Sequence, residues 1–242
     1  MHEAYPDAVK DLEGAPVVGV VTGLRAEARC LRASNLRVAC SGGSAERARI
    51  EAARLVAEGA AGLVSFGVAG GLAPDLRPGA LLLPETVVSR DGRSTPTDSG
   101  WRERLKARFE KGELAPPGGL LVGSDRVVAT IADKQRLYET TGALAVDMES
   151  HEVAAIAGAA RIPFVVVRAI ADPYDRVVPQ AALEALRPDG GARVLAVLGG
   201  VIREPGQLLA LMRLGRDSAM ALATLRRAAA LAGPDLGYGR EA

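Results

Sequence analysis

The sequence predicts an α/β fold: a single domain with a mixed central β-sheet flanked by helices, extended at its C-terminal end by amphipathic helices. Three observations carry this. Short β-rich runs alternate with longer helical patterns through most of the chain, which is the pattern of a sheet covered by helices. Several of the runs, residues 164–167 among them, are apolar without interruption, as suits a strand buried on both faces. The chain has 242 residues, a length at which one large α/β domain is an ordinary outcome. Such a chain buries roughly 70% of its unfolded surface, so no disulfide or metal staple is required.

The elements follow in order. Residues 1–15 mix charges with Pro and read as a flexible N-terminus, and the domain is placed at 16–242. Strands are expected at 17–21, 36–40, 62–66, 80–88, 120–123, 143–146 and 163–170. Helices are expected at 27–31, 45–58, 101–111, 132–140 and 149–160. Ser44 suits the N-cap of the second helix and Gly59 lies just past its end. The Pro-, Gly- and Thr-rich stretch 91–99 reads as a surface loop, and 115–119 (APPGG) as a second break. From 192 to 232 the chain becomes Leu- and Ala-rich with six arginines against Glu204 and Asp217, a local +4, and reads as helix broken near Pro205-Gly206. Its arginines form either a solvated face on a helix packed against the domain or the polar face of a helix touching a membrane surface; the packed form is the more common of the two.

Composition excludes several classes. Thirty Lys plus Arg against 29 Asp plus Glu leave a net charge of +1, without the basic excess of a nucleic-acid binder. No apolar run reaches the about 18–20 residues of a spanning helix, and the first fifteen residues lack a signal-peptide core, so a cytoplasmic protein is expected. Cys30 and Cys40 are read as reduced thiols. No His/Cys/Asp cluster has metal-ligand spacing, so no metal is expected. The four lysines among 26 arginines read as a genomic habit.

Three carboxylates stand out by position. Glu27 follows the first strand, Glu149 opens a helix after a strand, and Asp172 follows the apolar strand at 163–170. Ligands of open α/β sheets lie beyond the carboxyl ends of strands, so acids there are site candidates; singly, each is more often a helix cap or a solvated charge. Two glycine-rich turns join them. Ser41-Gly42-Gly43-Ser44 precedes a helix, whose amides can hold an anion, and Gly67-Val68-Ala69-Gly70-Gly71 allows backbone to approach a ligand closely. Neither is a P-loop or a good dinucleotide fingerprint.

These segments together resemble a family. GVVTGLRAE at 19–27, the SGGS turn, FGVAGGLAPDL at 66–76 with Pro78-Gly79, Gly123-Ser124-Asp125, VDMES at 146–150 and VVVRAIAD at 165–172 occur in the order and at the spacing of the nucleoside phosphorylase superfamily. The resemblance spans residues 16–175 and is nearest the methylthioadenosine/S-adenosylhomocysteine nucleosidases, while the Arg-punctuated part from 198 to 232 looks more like the hopanoid-associated phosphorylases.

The resemblance implies cleavage of an adenine N-glycosidic bond. Asp172 would be the acid at purine N7, needing a raised pKa to donate at neutral pH. Glu149 would grip the ribose hydroxyls over Met148 and stabilise positive charge on the sugar. Glu27 would activate water, the backbone of Arg126, Val127 and Val128 would bind the purine edge, and Val68, Gly70 and Arg168 would also line the substrate. It further implies no cofactor, with phosphate as a possible co-substrate, a homodimer, and adenosylhopane as substrate, its hopane tail bringing the protein to the membrane periphery. Phosphate is placed ahead of water as nucleophile on the subfamily name, with Ser41, Gly42, Gly43 and Ser44 as its possible site; Glu27 argues for water.

The sequence also departs from the family. Ala171 stands where the nucleosidases have a Ser beside the acid, Val68 replaces a Ser, Ser65 replaces the phosphate-binding Arg of hexameric purine phosphorylases, and Val127 replaces a stacking Phe. A site poor in aromatics suits aliphatic contacts with an apolar substituent. His151 reads either as a residue aimed at the site or as a helix-surface side chain. Ser124 and Asp125 lack a nearby His for a hydrolase triad and read as part of the base loop. The rival functions are a methylthioadenosine/S-adenosylhomocysteine nucleosidase and, in a different class, a nucleoside-binding protein without catalysis.

Overall fold

The computed structural model describes residues 16–31, 35–185 and 208–239. The expected N-terminal segment and the helix from 192 to its break near Pro205-Gly206 lie outside the described residues.

The element order is β1 (Val18–Thr22), α1 (Arg25–Ala28), β2 (Leu36–Cys40), α2 (Ala45–Ala57), β3 (Gly62–Gly71), β4 (Leu81–Leu82), β5 (Thr86–Val88), β6 (Ser94–Pro96), α3 (Ser99–Lys111), β7 (Leu120–Gly123), α4 (Ile131–Thr141), β8 (Ala145–Asp147), α5 (Ser150–Ala160), β9 (Phe164–Asp172), α6 (Gln180–Ala185) and α7 (Leu208–Ala232). The strands form one mixed sheet in the order β2-β1-β3-β8-β7-β5-β6, with β9 paired to β3 and β4. Pairing is parallel between β1 and β2, β1 and β3, β3 and β9, β5 and β7, and β7 and β8; it is antiparallel between β3 and β8, β4 and β9, and β5 and β6. The α/β class and the mixed sheet are those the sequence predicts.

Two local departures have plain causes. The run expected at 80–88 is two strands, because Pro84 cannot donate to a ladder and the chain bends there. The stretch read as a loop at 91–99 contains β6, which returns on β5 through a turn with Gly92 at φ 82°. α2 is capped as read, Ser44 Oγ accepting from the Arg47 amide at 3.3 Å, with Gly59 at φ 87° ending it.

The side-chain alternation of β9 divides the interior. Phe164, Val166 and Ile170 join the core beneath α2 and α5, whereas Val165, Val167, Ala169 and Ala171 join the core beneath α3 and α7. α7 presents Ala221, Leu225, Ala228 and Ala232 to that second core and leaves Leu208, Leu209, Met212 and Met220 exposed. Its described part is therefore a packed helix with an apolar remainder facing outward. Among the described residues no helix is long and apolar enough to cross a membrane.

Candidate active site

The site forms where β1, β3, β8 and β9 end near one another, and β3 is its floor. Up to Ala69 the pairing with β9 is regular, Gly67 opposite Arg168 and Ala69 opposite Ile170; then the register slips, and Gly70 faces Asp172. Ala171 is the extra residue of a β-bulge. A bulge re-aims the side chains beyond it, and this one sets the Asp172 carboxyl over Gly70. A Cβ at Gly70 would lie 3.2 and 3.3 Å from the two carboxyl oxygens, so glycine there leaves that side of the acid open.

Glu27 enters from the other end of the same glycine run. Its position in the first turn of α1 lets Oε2 accept from the Leu24 amide at 2.7 Å, the cap that an acid near a helix start ordinarily provides. Its other oxygen does something a cap does not: Oε1 accepts from the Val68 amide, 41 residues away, at 2.8 Å. The side chain is buried, and burial pushes its pKa above the usual carboxylate range against the pull of Arg168 and these amides.

Glu149 occupies the N-cap position of α5 but makes no cap bond. Its Oε2 lies 3.2 Å from Arg168 Nη2, and its Oε1 would sit 2.7 Å from a Cβ at Gly23. Burial raises its pKa to about 8, the Arg168 charge opposing and the charges of Asp147 and Glu27 adding to the rise. Three buried carboxylates thus share one guanidinium, a balance that favours a retained proton near neutrality.

Arg168 was expected to line the substrate, but it lies fully buried beneath the site. Its Nη2 contacts Asp147 at 2.5 Å, Ser65 Oγ at 2.7 Å and Ser150 Oγ at 3.3 Å as well as Glu149, and its Nη1 donates to the Val68 carbonyl at 3.3 Å. Its placement is that of an anchor for the carboxylates. Ser65, read from the sequence as a lost phosphate ligand, is part of this anchor and also accepts from Ser150 at 2.9 Å. Asp147 and Ser150, which carry no signal of their own in the sequence, complete it. A Cβ at Gly67 would lie 2.5 Å from Arg168 Nη1 and 2.7 Å from Glu27, which is why this strand position is glycine.

The base loop leaves β7 beside the Met148-Glu149 turn, the Ser124 amide donating to the Asp147 carbonyl at 2.8 Å. Ser124 Oγ then folds the loop by bonding the Arg126 carbonyl at 2.7 Å. Val127, Val128 and Met148 are half-buried and Arg126 is exposed. Arg126, Val127 and Val128 line a cavity of about 620 Å³ together with Ser124, Asp125 and Arg136; Glu27, Glu149 and Asp172 are not part of its wall. His151 neither reaches the carboxylates nor lies on the helix surface. It is buried against Gly123, where a Cβ would come within 2.3 Å of the ring, and its Nε2 lies 3.4 Å from Asp125 Oδ1.

The SGGS turn places Gly42 and Gly43 at φ 70° and 72° ahead of α2, with Ser41 buried and its hydroxyl without a hydrogen-bond partner among the described residues. Among the described residues no group of His, Cys, Asp and Glu is arranged to hold a metal.

One further residue sits against Asp172, and no motif in the sequence marks it. Lys134, on α4, is fully buried, and its Nζ lies 2.7 Å from Asp172 Oδ2. Its rarity as a lysine in an arginine-rich chain was the available hint.

Comparison with known proteins gives the family and the fold. The model of the Phosphorylase superfamily matches residues 3–203. This chain belongs to the phosphorylase superfamily. Within it, the chain is 28% identical over 171 residues to the 5′-methylthioadenosine/S-adenosylhomocysteine nucleosidase of Mycobacterium bovis, an overlap of 52% of this chain and 67% of the relative. Two solved structures share the fold. A mutant of the Helicobacter pylori nucleosidase of the same name, holding 5′-methylthioadenosine in its active site, superposes with a TM-score of 0.66 at 17% identity, covering 88% of this chain and 98% of the other. Helicobacter pylori futalosine hydrolase superposes with a TM-score of 0.65 at 16% identity, covering 89% and 97%.

Proposed function

We propose that the chain cleaves the N-glycosidic bond of an adenine nucleoside, with water as nucleophile and Glu27 as its base. The observation that carries this is the Gly67–Gly70 run, which holds Glu27 through the Val68 amide at one end and faces Asp172 at the other. The bond breaks with positive charge growing on the sugar. Asp172 gives its proton to purine N7, Glu149 grips the ribose hydroxyls, and Glu27 takes the proton of the attacking water. Adenine leaves protonated at N7 and the sugar carries the new hydroxyl. The names of the relatives, a nucleosidase and a hydrolase, support water over phosphate. Burial supports Asp172 as the acid, since it raises that carboxyl above its usual range.

Phosphate is the second reading, favoured by the unpartnered Ser41 hydroxyl and the left-handed Gly42 and Gly43 before α2. For the substrate we infer adenosylhopane. The support is the likeness of the Arg-punctuated C-terminal part to hopanoid-associated phosphorylases, together with the exposed Leu208, Leu209 and Met212 beside Arg213 and Arg216 on α7. Methylthioadenosine and S-adenosylhomocysteine are the rival substrates. A homodimer and contact with the membrane periphery belong to the same proposal.

The test incubates the protein with adenosylhopane in detergent, and separately with methylthioadenosine and S-adenosylhomocysteine, each with and without phosphate, following both products by mass spectrometry. Adenine released equally without phosphate supports the proposal. Adenine that appears only with phosphate, beside a sugar 1-phosphate, moves the nucleophile to the second reading. Turnover of the small nucleosides alone removes the hopane, and tight nucleoside binding without any adenine leaves a binding protein.

A further inference from the structure

The acid is held by a residue that no family motif quoted above includes. Lys134 has no solvent exposure, and its Nζ donates to Asp172 Oδ2 at 2.7 Å, to the Pro173 carbonyl at 2.9 Å, to the Arg176 carbonyl at 3.0 Å and, more weakly, to the Asp172 carbonyl at 3.3 Å. Burying a lysine is costly unless its charge is balanced and its protons are accepted. Here the Asp172 carboxyl accepts one of the ammonium protons, and the carbonyls of Asp172, Pro173 and Arg176 at and after the end of β9 accept the others. The lysine therefore fixes both the acid and the backbone that carries it. The base loop is tied to the same segment, the Val178 amide donating to the Ala129 carbonyl at 2.9 Å. Arg176, whose carbonyl the lysine holds, also pairs through its side chain with the buried Asp217 of α7.

We propose that Lys134 is a positioning residue for the acid, and that its ammonium stabilises the carboxylate left on Asp172 when the proton passes to the leaving purine. The role rests on the functional reading above. It supplies what Ala171 cannot: a bulge residue without a hydroxyl gives the neighbouring acid no hydrogen bond, and the lysine arrives from α4 in its place. The proton balance is simple. Asp172 begins protonated on the oxygen facing the base, with Oδ2 accepting from Lys134. Asp172 ends as the carboxylate paired with an ammonium that has gained and lost nothing, and N7 holds the proton. Burial keeps the proton on the acid before reaction, while the lysine makes its departure less costly. Gly70 leaves the other side of the carboxyl open for the base.

The test compares wild type, Lys134→Met, Asp172→Asn and the double variant on whichever adenine nucleoside the wild type turns over, with circular dichroism and thermal melts to confirm folding. Lys134→Met is expected to lower kcat about 10–100-fold with KM within about threefold. Removing the ammonium raises the pKa of Asp172, and the protonated acid is the active form. The alkaline limb of the pH–rate profile should thus move to higher pH while the plateau falls. The double variant should be no slower than Asp172→Asn alone, because the lysine acts through the acid. Added methylammonium is expected to restore part of the rate of Lys134→Ala, which keeps the test available if the Met variant folds poorly. Wild-type kcat with an unmoved limb, or losses that multiply in the double variant, overturns the role of Lys134. A wild type that releases no adenine from any substrate overturns the functional reading instead.

Discussion

At Asp172 two forces oppose each other: burial raises the carboxyl's pKa and the Lys134 ammonium lowers it. Asp172→Asn keeps the shape and removes the acid, so adenine release should fall about 10²–10⁴-fold while nucleoside binding persists, checked by single-turnover rates beside isothermal titration. Near-normal turnover would remove Asp172 from the mechanism. Glu149 differs, because in the proposed role a group that both grips ribose and faces the growing charge serves ground state and transition state together. Glu149→Gln should therefore raise KM and lower kcat, and an unchanged KM would take it off the sugar. All three carboxylates were legible as candidates in the sequence because each stands at or shortly beyond the carboxyl end of a strand, where an open sheet puts its ligands. The burial of Arg168 was not legible. A guanidinium deep in the core is stable only because Asp147 and Glu149 surround it, and those lie about twenty residues earlier in the chain. Lys134 was illegible for the same reason: its partner Asp172 is 38 residues away, and a helical lysine taken alone reads as solvent-facing.

β3 is the element on which the site depends, since its residues 67–70 touch Glu27, Arg168 and Asp172 in turn. Its strand length was underestimated from sequence, at 62–66, because the glycines that follow read as a turn; they remain strand because β9 pairs with them as far as Asp172. The same glycines are required sterically. Gly67→Ala puts a methyl 2.5 Å from Arg168 Nη1 and 2.7 Å from Glu27, both held by buried partners and unable to give way cheaply. The expected cost is about 1–3 kcal/mol of stability from overpacking, with a larger proportional loss of kcat because Glu27, the proposed base, is displaced. Urea melts and steady-state rates on the same preparation check both, and a variant with wild-type kcat would show that Glu27 need not sit where this strand puts it. Elements bounded by explicit local signals, such as α2 between Ser44 and Gly59 and the strand at 36–40, were placed closely by sequence. β6 was not, because its three residues pair only through the hairpin with β5.

For the molecule as a whole, the site is a standing charge imbalance built into the fold, and it should set how stability depends on pH. Glu27, Glu149 and Asp172 are all raised by burial, Glu149 to about 8 from an ordinary 4.5. A carboxyl with a raised folded pKa binds its proton more tightly in the native state than in the unfolded chain. Its contribution is fully present below the unfolded value and is lost as pH rises through the folded one. The window for Glu149 thus runs from about 4.5 to about 8, with stability falling upward through it. That is the reverse of the usual behaviour of a carboxylate stabilised by a salt bridge, because burial outweighs the pull of Arg168 on Glu149 and the charges of Asp147 and Glu27 add to the rise. The ligand-free protein should therefore lose denaturant stability between pH 5.5 and 8, by a few kcal/mol at most. Glu149→Gln carries no proton to lose and should lose distinctly less over the same range. Urea midpoints for the two proteins, measured across that interval in one buffer series, decide it. A wild type whose midpoint holds level, or two curves that run parallel, would mean that Arg168 keeps Glu149 ionised throughout, and Glu149 would then meet the ribose as a full negative charge at every pH in the range.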